Sequence, residues 1–300
     1  LLTAVVAGVC AGCFSADSVG NRQRSTPAPA RSDATPAATS TAKTEMKDEP
    51  SKKSAATGFS ANLPGGFEQP RDEVGRKMLA EYGAMFVARG VTPPPKVVFR
   101  DEPEVSAYQG GLAKSQETIG GIGVELQTPA LEALKKAIDA ARAKGISIRP
   151  RNADSSRRSY AQTVDNWKSR VHPGLAHWVS KGRLTKSDAD RIAALSPPDQ
   201  VPEIFKLEAQ GMYFSKDLTK TIMYSVAPPG TSQHISLLAL DVEQHEDARA
   251  RSVLAEFGWF QTIPSDLPHF TYLGAKADEL PGLGLKKVTT GGREFWVPDI

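Results

Sequence analysis

Residues Leu237 to Leu240 form an unbroken apolar run that stops abruptly at a carboxylate, Asp241, followed by Val242. The run is short and rich in leucine, so it reads as a buried strand. Ahead of it lie a turn, Pro228-Pro229-Gly230, and then Thr231, Ser232, Gln233 and His234. A carboxylate at the end of a buried strand costs on the order of several kcal/mol unless something positive neutralises it. A metal ion is one such partner, and His234, just before the strand, is placed to share it.

The 300-residue chain has room for one substantial domain or two small ones. Its 40% hydrophobic and 24% charged content is that of a soluble globular protein once the biased N-terminal part is set aside. A net charge of +3 without a dense Lys/Arg tract gives no indication of a nucleic-acid partner. Both cysteines, Cys10 and Cys13, fall in the first thirteen residues. The folded part therefore has neither a disulfide nor a cysteine metal site.

Leu1 to Val9 is an apolar run of signal-peptide length, too short to span a bilayer, and the sequence is expected to begin inside that signal. Cys10-Ala11-Gly12-Cys13 resembles a bacterial lipobox, which makes Cys13 the candidate lipidation site. An ordinary cleaved signal peptide is the alternative. Both imply export to the cell envelope or periplasm. Residues 14–64 are rich in Ser, Thr, Ala, Pro and Lys and read as a disordered linker. A tether of that length has a root-mean-square span on the order of 40 Å. A lipid anchor at Cys13 would then let a domain over residues 65–300 search the layer next to the membrane.

Within 65–300, helical periodicity runs from Arg71 to Arg89, and a short strand is expected over Lys96–Arg100. The Gly-rich segments at Gln109–Gly111 and Gly120–Gly123 read as turns, because they lack the strand-then-helix context of a nucleotide loop. A helix over Pro129–Lys144 is framed by Thr128 as N-cap and Gly145 as stop. A strand over Ile146–Pro150 follows, then a loop with Arg157, Arg158, Ser159 and Tyr160, and a helix over Gln162–Val171. His172, His177 and Trp178 are expected in an irregular, structural or surface region. Helices over Asp188–Leu195 and Val201–Gln210 form an insertion ahead of the turn. Strands are expected at Thr221–Ala227, Leu237–Val242, Phe270–Leu273 and Glu294–Val297, with a helix over Asp247–Phe257. Helices first and strands later argue for an α+β domain, its helices packed on a mainly antiparallel sheet.

Ser232-x-His234-x6-Asp241, followed by Asp266-Leu267-Pro268-His269-Phe270 and preceded by Arg158-Ser159-Tyr160, resembles the signature of the D-alanyl-D-alanine carboxypeptidase family of the VanY type. The resemblance covers roughly residues 147–274. It implies a zinc site made by His234, Asp241 and His269, with Arg158 beside it holding a substrate carboxylate or carbonyl oxygen. Ser159, Tyr160 and Ser232 would be further substrate-binding residues, and Asp266 would be the catalytic base.

Three positions depart from the family pattern. Asp266 stands where the family has Glu, shortening the reach of the base by one methylene. Leu237 stands where the family has Gly, and Arg157 where it usually has an aromatic. A catalytic zinc with three protein ligands activates water and polarises a carbonyl, while a nearby carboxylate moves the proton. The implied function is a zinc-dependent D,D-carboxypeptidase acting on peptidoglycan stem peptides. The alternatives are an endopeptidase of the same fold and a catalytically degenerate wall-binding lipoprotein. Glu243, His245 and Glu246 read as a solvated helix start, with a substitute base among them as the alternative.

Overall fold

The computed structural model describes residues 58–300. The signal segment, Cys13 and most of the linker lie outside the described residues. Residues 58–64, read from sequence as linker, already carry a buried side chain. Phe59 opens a 3-10 turn, Phe59–Asn62, and its side chain is 1% exposed within the core. Its backbone presses so closely on Gly284 that a Cβ there would stand 2.0 Å from the Phe59 nitrogen.

The helices are α1 (Glu73–Tyr82), α2 (Glu102–Gly110), α3 (Thr128–Ala143), α4 (Tyr160–Ser180), α5 (Lys186–Ala193), α6 (Pro197–Ala209) and α7 (Ala248–Glu256). Most start as their caps dictate. The side chains of Asp72, Asp101 and Thr185 accept from the backbone N–H three residues on. Ser159 and Gln162 close a reciprocal capping box at the start of α4. The cap of α3 is Gln127 rather than Thr128, while Gly145 takes the left-handed conformation just past its end.

Three antiparallel sheets accompany the helices. Strands β1 (Lys114–Ile119) and β2 (Ile122–Gln127) form a hairpin whose turn is Gly120-Gly121. Strands β3 (Ala239–Asp241), β4 (Trp259–Phe260) and β5 (His269–Tyr272) form the central sheet in the order β3-β5-β4. Strands β6 (Leu285–Thr290) and β7 (Arg293–Pro298) form a C-terminal hairpin. The class is α+β, as expected.

Alternation along the central strands decides which residues reach the site. Leu238, Leu240, Val242, Trp259 and Phe270 point into one core with α3 and α7. Phe260, Ile263 and Leu273 join a second core with α1, α4, α5 and α6. Asp241, His269 and Thr271 are left on the face between these cores. Trp167 is fully buried in the second, and its indole N–H donates to Gln200 at 2.7 Å, tying α4 to α6.

Three expected strands are absent. In 221–227 the chain winds into a 3-10 turn, Ile222–Tyr224, because the Ile222 N–H is taken by the Glu208 carboxylate at 2.6 Å instead of a strand. In 96–100 only Lys96 makes a bridge, to Glu68, and the Phe99 N–H goes to Gly230. In 146–150 the chain runs beside β3, but Pro150 has no N–H to donate and the contact shrinks to one bridge with Val242. His172, His177 and Trp178 lie inside α4, which continues through Pro173 to Ser180, and not in irregular chain. Helix α2 and strands β1, β2, β4 and β6 are not among the expected elements. In α2 only Val105 and Gln109 are buried, so its apolar periodicity is weak.

Candidate metal centre

His234, Asp241 and His269 each offer one ligand atom, and these three atoms lie within 4.8 Å of one another. Asp241 and His269 are cross-strand partners in the β3–β5 register. His234 comes from the 3-10 turn Gln233–Ser236 that feeds β3. That turn is anchored by Gly230, which sits at φ 76°, where a Cβ would stand 1.9 Å from the Phe99 carbonyl oxygen. The Gly230 N–H also donates to the Thr163 hydroxyl at 3.1 Å. Only glycine fits there, which explains the Pro-Gly ahead of the histidine.

The protons on both imidazoles can be located from their partners. His234 Nδ1 is 3.0 Å from the Ser156 carbonyl oxygen, an acceptor only, so Nδ1 carries the hydrogen. His269 Nε2 is 2.9 Å from Gln233 Oε1. The Gln233 amide is oriented by its own NH2, which donates to the Tyr82 carbonyl at 2.9 Å, so Oε1 accepts. Thr271 donates to the same oxygen. His234 Nε2 and His269 Nδ1 are left as bare lone pairs, each 3.3 Å from Asp241 Oδ1.

Three acceptors therefore converge with no proton between them. His234 Nε2 and Asp241 Oδ1 are buried and make no hydrogen bond. Burial, then the Arg158 charge, lowers the His234 pKa to about 4, so the ring is neutral at ordinary pH.

The donor set fits a small divalent cation: two neutral imidazoles and one carboxylate, each imidazole fixed by an outer hydrogen bond. Ligand atoms about 2.0 Å from a tetrahedral zinc stand about 3.3 Å apart. Both histidine–aspartate separations have that length.

Arg158 reaches the other Asp241 oxygen, Oδ2, at 3.4 Å and Ser232 Oγ at 3.5 Å. Ser232 thus orients Arg158. The Arg158 backbone N–H donates to the His234 carbonyl at 3.3 Å. Arg157 points away, to Gln109 and Glu125. Ser159 is occupied as the cap of α4. Tyr160 packs on Phe99, Val164 and Ile235. Neither Ser159 nor Tyr160 lines the cleft, in contrast to the substrate contacts expected of them. Glu243 and Glu246 pair with Arg149 and Arg293, also away from the cleft.

A cleft of about 250 Å³ opens over the site, and Arg158, Ser232, His234, Asp266 and His269 line it. Asp266 sits in the turn leading into β5, where the His269 N–H donates to its carbonyl at 3.2 Å. It is open to solvent on the cleft side and enclosed by protein elsewhere. That enclosure pushes its pKa up against the pull of His269, and the Asp241 charge adds to the rise. Leu237 adopts the left-handed conformation, φ 57°, with its side chain fully buried.

The residues that sequence reasoning missed are the outer ones. Gln233 locks His269, the Ser156 carbonyl locks His234, and Gln109 bridges the carbonyls of Arg158 and Ile235. Gln233 had one available signal: a polar residue next to a ligand histidine in a buried stretch. A carbonyl has none.

No family model and no curated protein matches the sequence. Among solved structures, the fold is similar to VanYB in complex with D-alanine-D-alanine, at 20% identity and a TM-score of 0.32, over 53% of this chain and 77% of that one. It is also similar to a variant of the vancomycin-resistance D,D-pentapeptidase VanY in complex with Zn(II), at 18% identity and a TM-score of 0.29, over 55% of this chain and 82% of that one. A third is the LdcB LD-carboxypeptidase, at 18% identity and a TM-score of 0.29, over 53% of this chain and 64% of that one. Likenesses of this strength leave the assignment to the geometry of the site itself.

Proposed function

We propose that the chain is a zinc peptidase of the bacterial cell wall that removes the terminal D-Ala from peptidoglycan stem peptides. The observation that carries this reading is the convergence of His234 Nε2, His269 Nδ1 and Asp241 Oδ1 beneath an open cleft that both histidines line. A zinc ion held there would supply Lewis acidity and a water of lowered pKa.

The remaining work falls to the chain's own groups. Asp266, its affinity for a proton raised by its surroundings, takes a proton at its carboxylate and returns it to the leaving amine. Arg158, braced by Asp241 and Ser232, offers its remaining N–H groups to the oxygen on which charge develops. Gln233 and Ser156 keep both imidazoles in the tautomer that presents a lone pair. The reading includes export and a lipid anchor at Cys13, which rest on the Cys10–Cys13 sequence alone. Loss of lipid labelling in Cys13→Ser would support the anchor, and unchanged labelling would remove it.

The test is D-Ala release from a muramyl pentapeptide with added zinc, with chelator, and with Asp266→Ala. Release that needs zinc and falls at least about a hundredfold in the variant supports the reading. Release that survives Asp266→Ala moves the base elsewhere. A folded protein that binds no zinc overturns the proposal.

A further inference from the structure

The cleft holds a second guanidinium that the chemistry above does not use. Thr163, Asn166 and Arg170 all line it from α4. Their spacings of three and four place them on one helical face. Thr163 sits at the metal end, where its hydroxyl accepts from Gly230. Arg170 lies two turns further on, about 10 Å along the helix axis. Tyr224 to Ala227 line the same cleft, and Tyr224 is 55% exposed.

Arg170 differs from Arg158 in what it already holds. Arg158 is engaged by Asp241 and Ser232. Among the described residues the hydrogen bonds of the Arg170 guanidinium run from Nη1 to its neighbour Ser169, at 3.4 Å to the carbonyl and 2.9 Å to the hydroxyl. Its Nε is buried and meets no acceptor among the described residues. No carboxylate among the described residues pairs with it, whereas Arg158 in the same cleft pairs with Asp241. A charged planar donor on a cleft wall whose Nη2 makes no hydrogen bond among the described residues fits a planar anion, and a carboxylate is the anion a guanidinium pairs with best.

We infer that Arg170 is a specificity-determining residue that binds a carboxylate of the peptide substrate while the metal centre takes the bond to be cut. This rests on the peptidase reading for the identity of the ligand, not for the binding itself. The carboxylate is either the free C-terminus of the peptide or one carried on an internal residue, such as the α-carboxylate of a γ-linked D-Glu.

Equilibrium binding separates these points without turnover. The full chain is treated with chelator and titrated with L-Ala-γ-D-Glu-L-Lys-D-Ala-D-Ala, alongside Arg170→Gln and Arg170→Lys. Arg170→Gln is expected to raise Kd about tenfold or more, with Arg170→Lys in between and melting temperatures unchanged. A peptide with both carboxylates amidated is expected to bind wild type and Arg170→Gln alike. Amidating one carboxylate at a time identifies the source, because only the recognised one abolishes the difference. Equal Kd for wild type and Arg170→Gln, a difference that survives full amidation, or no peptide binding at all would each overturn the inference. Absence of zinc-dependent hydrolysis with Arg170-dependent binding intact would count against the peptidase reading alone.

Discussion

Asp241 and His269 face each other across the β3–β5 ladder, and the Asp241 Oδ1 to His269 Nδ1 separation is 3.3 Å. Neither atom has a proton to give, since His269 spends its hydrogen on Gln233. Two facing acceptors with His234 as a third store repulsion that a cation relieves. Zinc is therefore expected to bind with one-to-one stoichiometry and to raise the melting temperature. At a free concentration of about 100 Kd the gain is about 2.7 kcal/mol. Asp241→Ala should abolish both the stoichiometry and the shift. Calorimetric titration and thermal melting with and without chelator check this.

Gln233 is buried, and its amide is fully used between Tyr82, Thr271 and His269. Gln233→Leu removes the acceptor that holds the His269 tautomer without touching a ligand. Zinc affinity should fall about 10- to 100-fold. A competition assay with a coloured chelator measures it, and unchanged affinity would show that the lock is dispensable.

Gly230 has no room for a side chain: a methyl would collide with the Phe99 carbonyl oxygen in a left-handed backbone. Gly230→Ala is expected to cost at least about 2 kcal/mol of stability and to displace His234, so zinc binding should weaken with it. Urea unfolding of the variant gives the first number and zinc titration the second.

Leu237 reverses the usual order of two substitutions. It is fully buried at φ 57°, so Leu237→Ala and Leu237→Gly both open a cavity. Alanine keeps the left-handed strain of about 1–2 kcal/mol, whereas glycine releases it. Leu237→Gly should then be no less stable than Leu237→Ala, although at most sites glycine is the worse of the two. Denaturant midpoints of the two variants decide it.

Glu208 is buried under the segment leading to the cleft wall, and burial raises its pKa to about 7 against the two N–H groups that its Oε1 accepts. An acid whose folded pKa is raised binds more protons folded than unfolded, so stability falls as pH rises. The decline should begin above the ordinary glutamate value of about 4.5 and level off above about 7. Glu208→Gln should flatten that slope, which melting temperatures across pH 4–8 would display.

The sequence alone was enough to place the elements whose signals are local. Apolar periodicity marks the helices that become α1 and α3, Gly145 marks the stop of α3, and Pro-Gly before His234 marks a turn because few other residues make one. His234 and Asp241 were legible from a buried strand ending in a carboxylate, and His269 joined them only through the resemblance to the VanY-type signature. What the tertiary structure decided depends on partners distant in the chain. Strand pairing stops at a single bridge at Lys96 and at Pro150, which has no N–H to donate, and at Ile222 the N–H goes to the distant Glu208 carboxylate. The imidazole tautomers were set by Ser156 and Gln233, and Arg170 became a cleft residue only when α4 was laid beside the turn at Gly230. Helix caps and turns are satisfied within a few residues of one chain segment, whereas a metal site's second set of hydrogen bonds is satisfied by whichever backbone folding brings alongside.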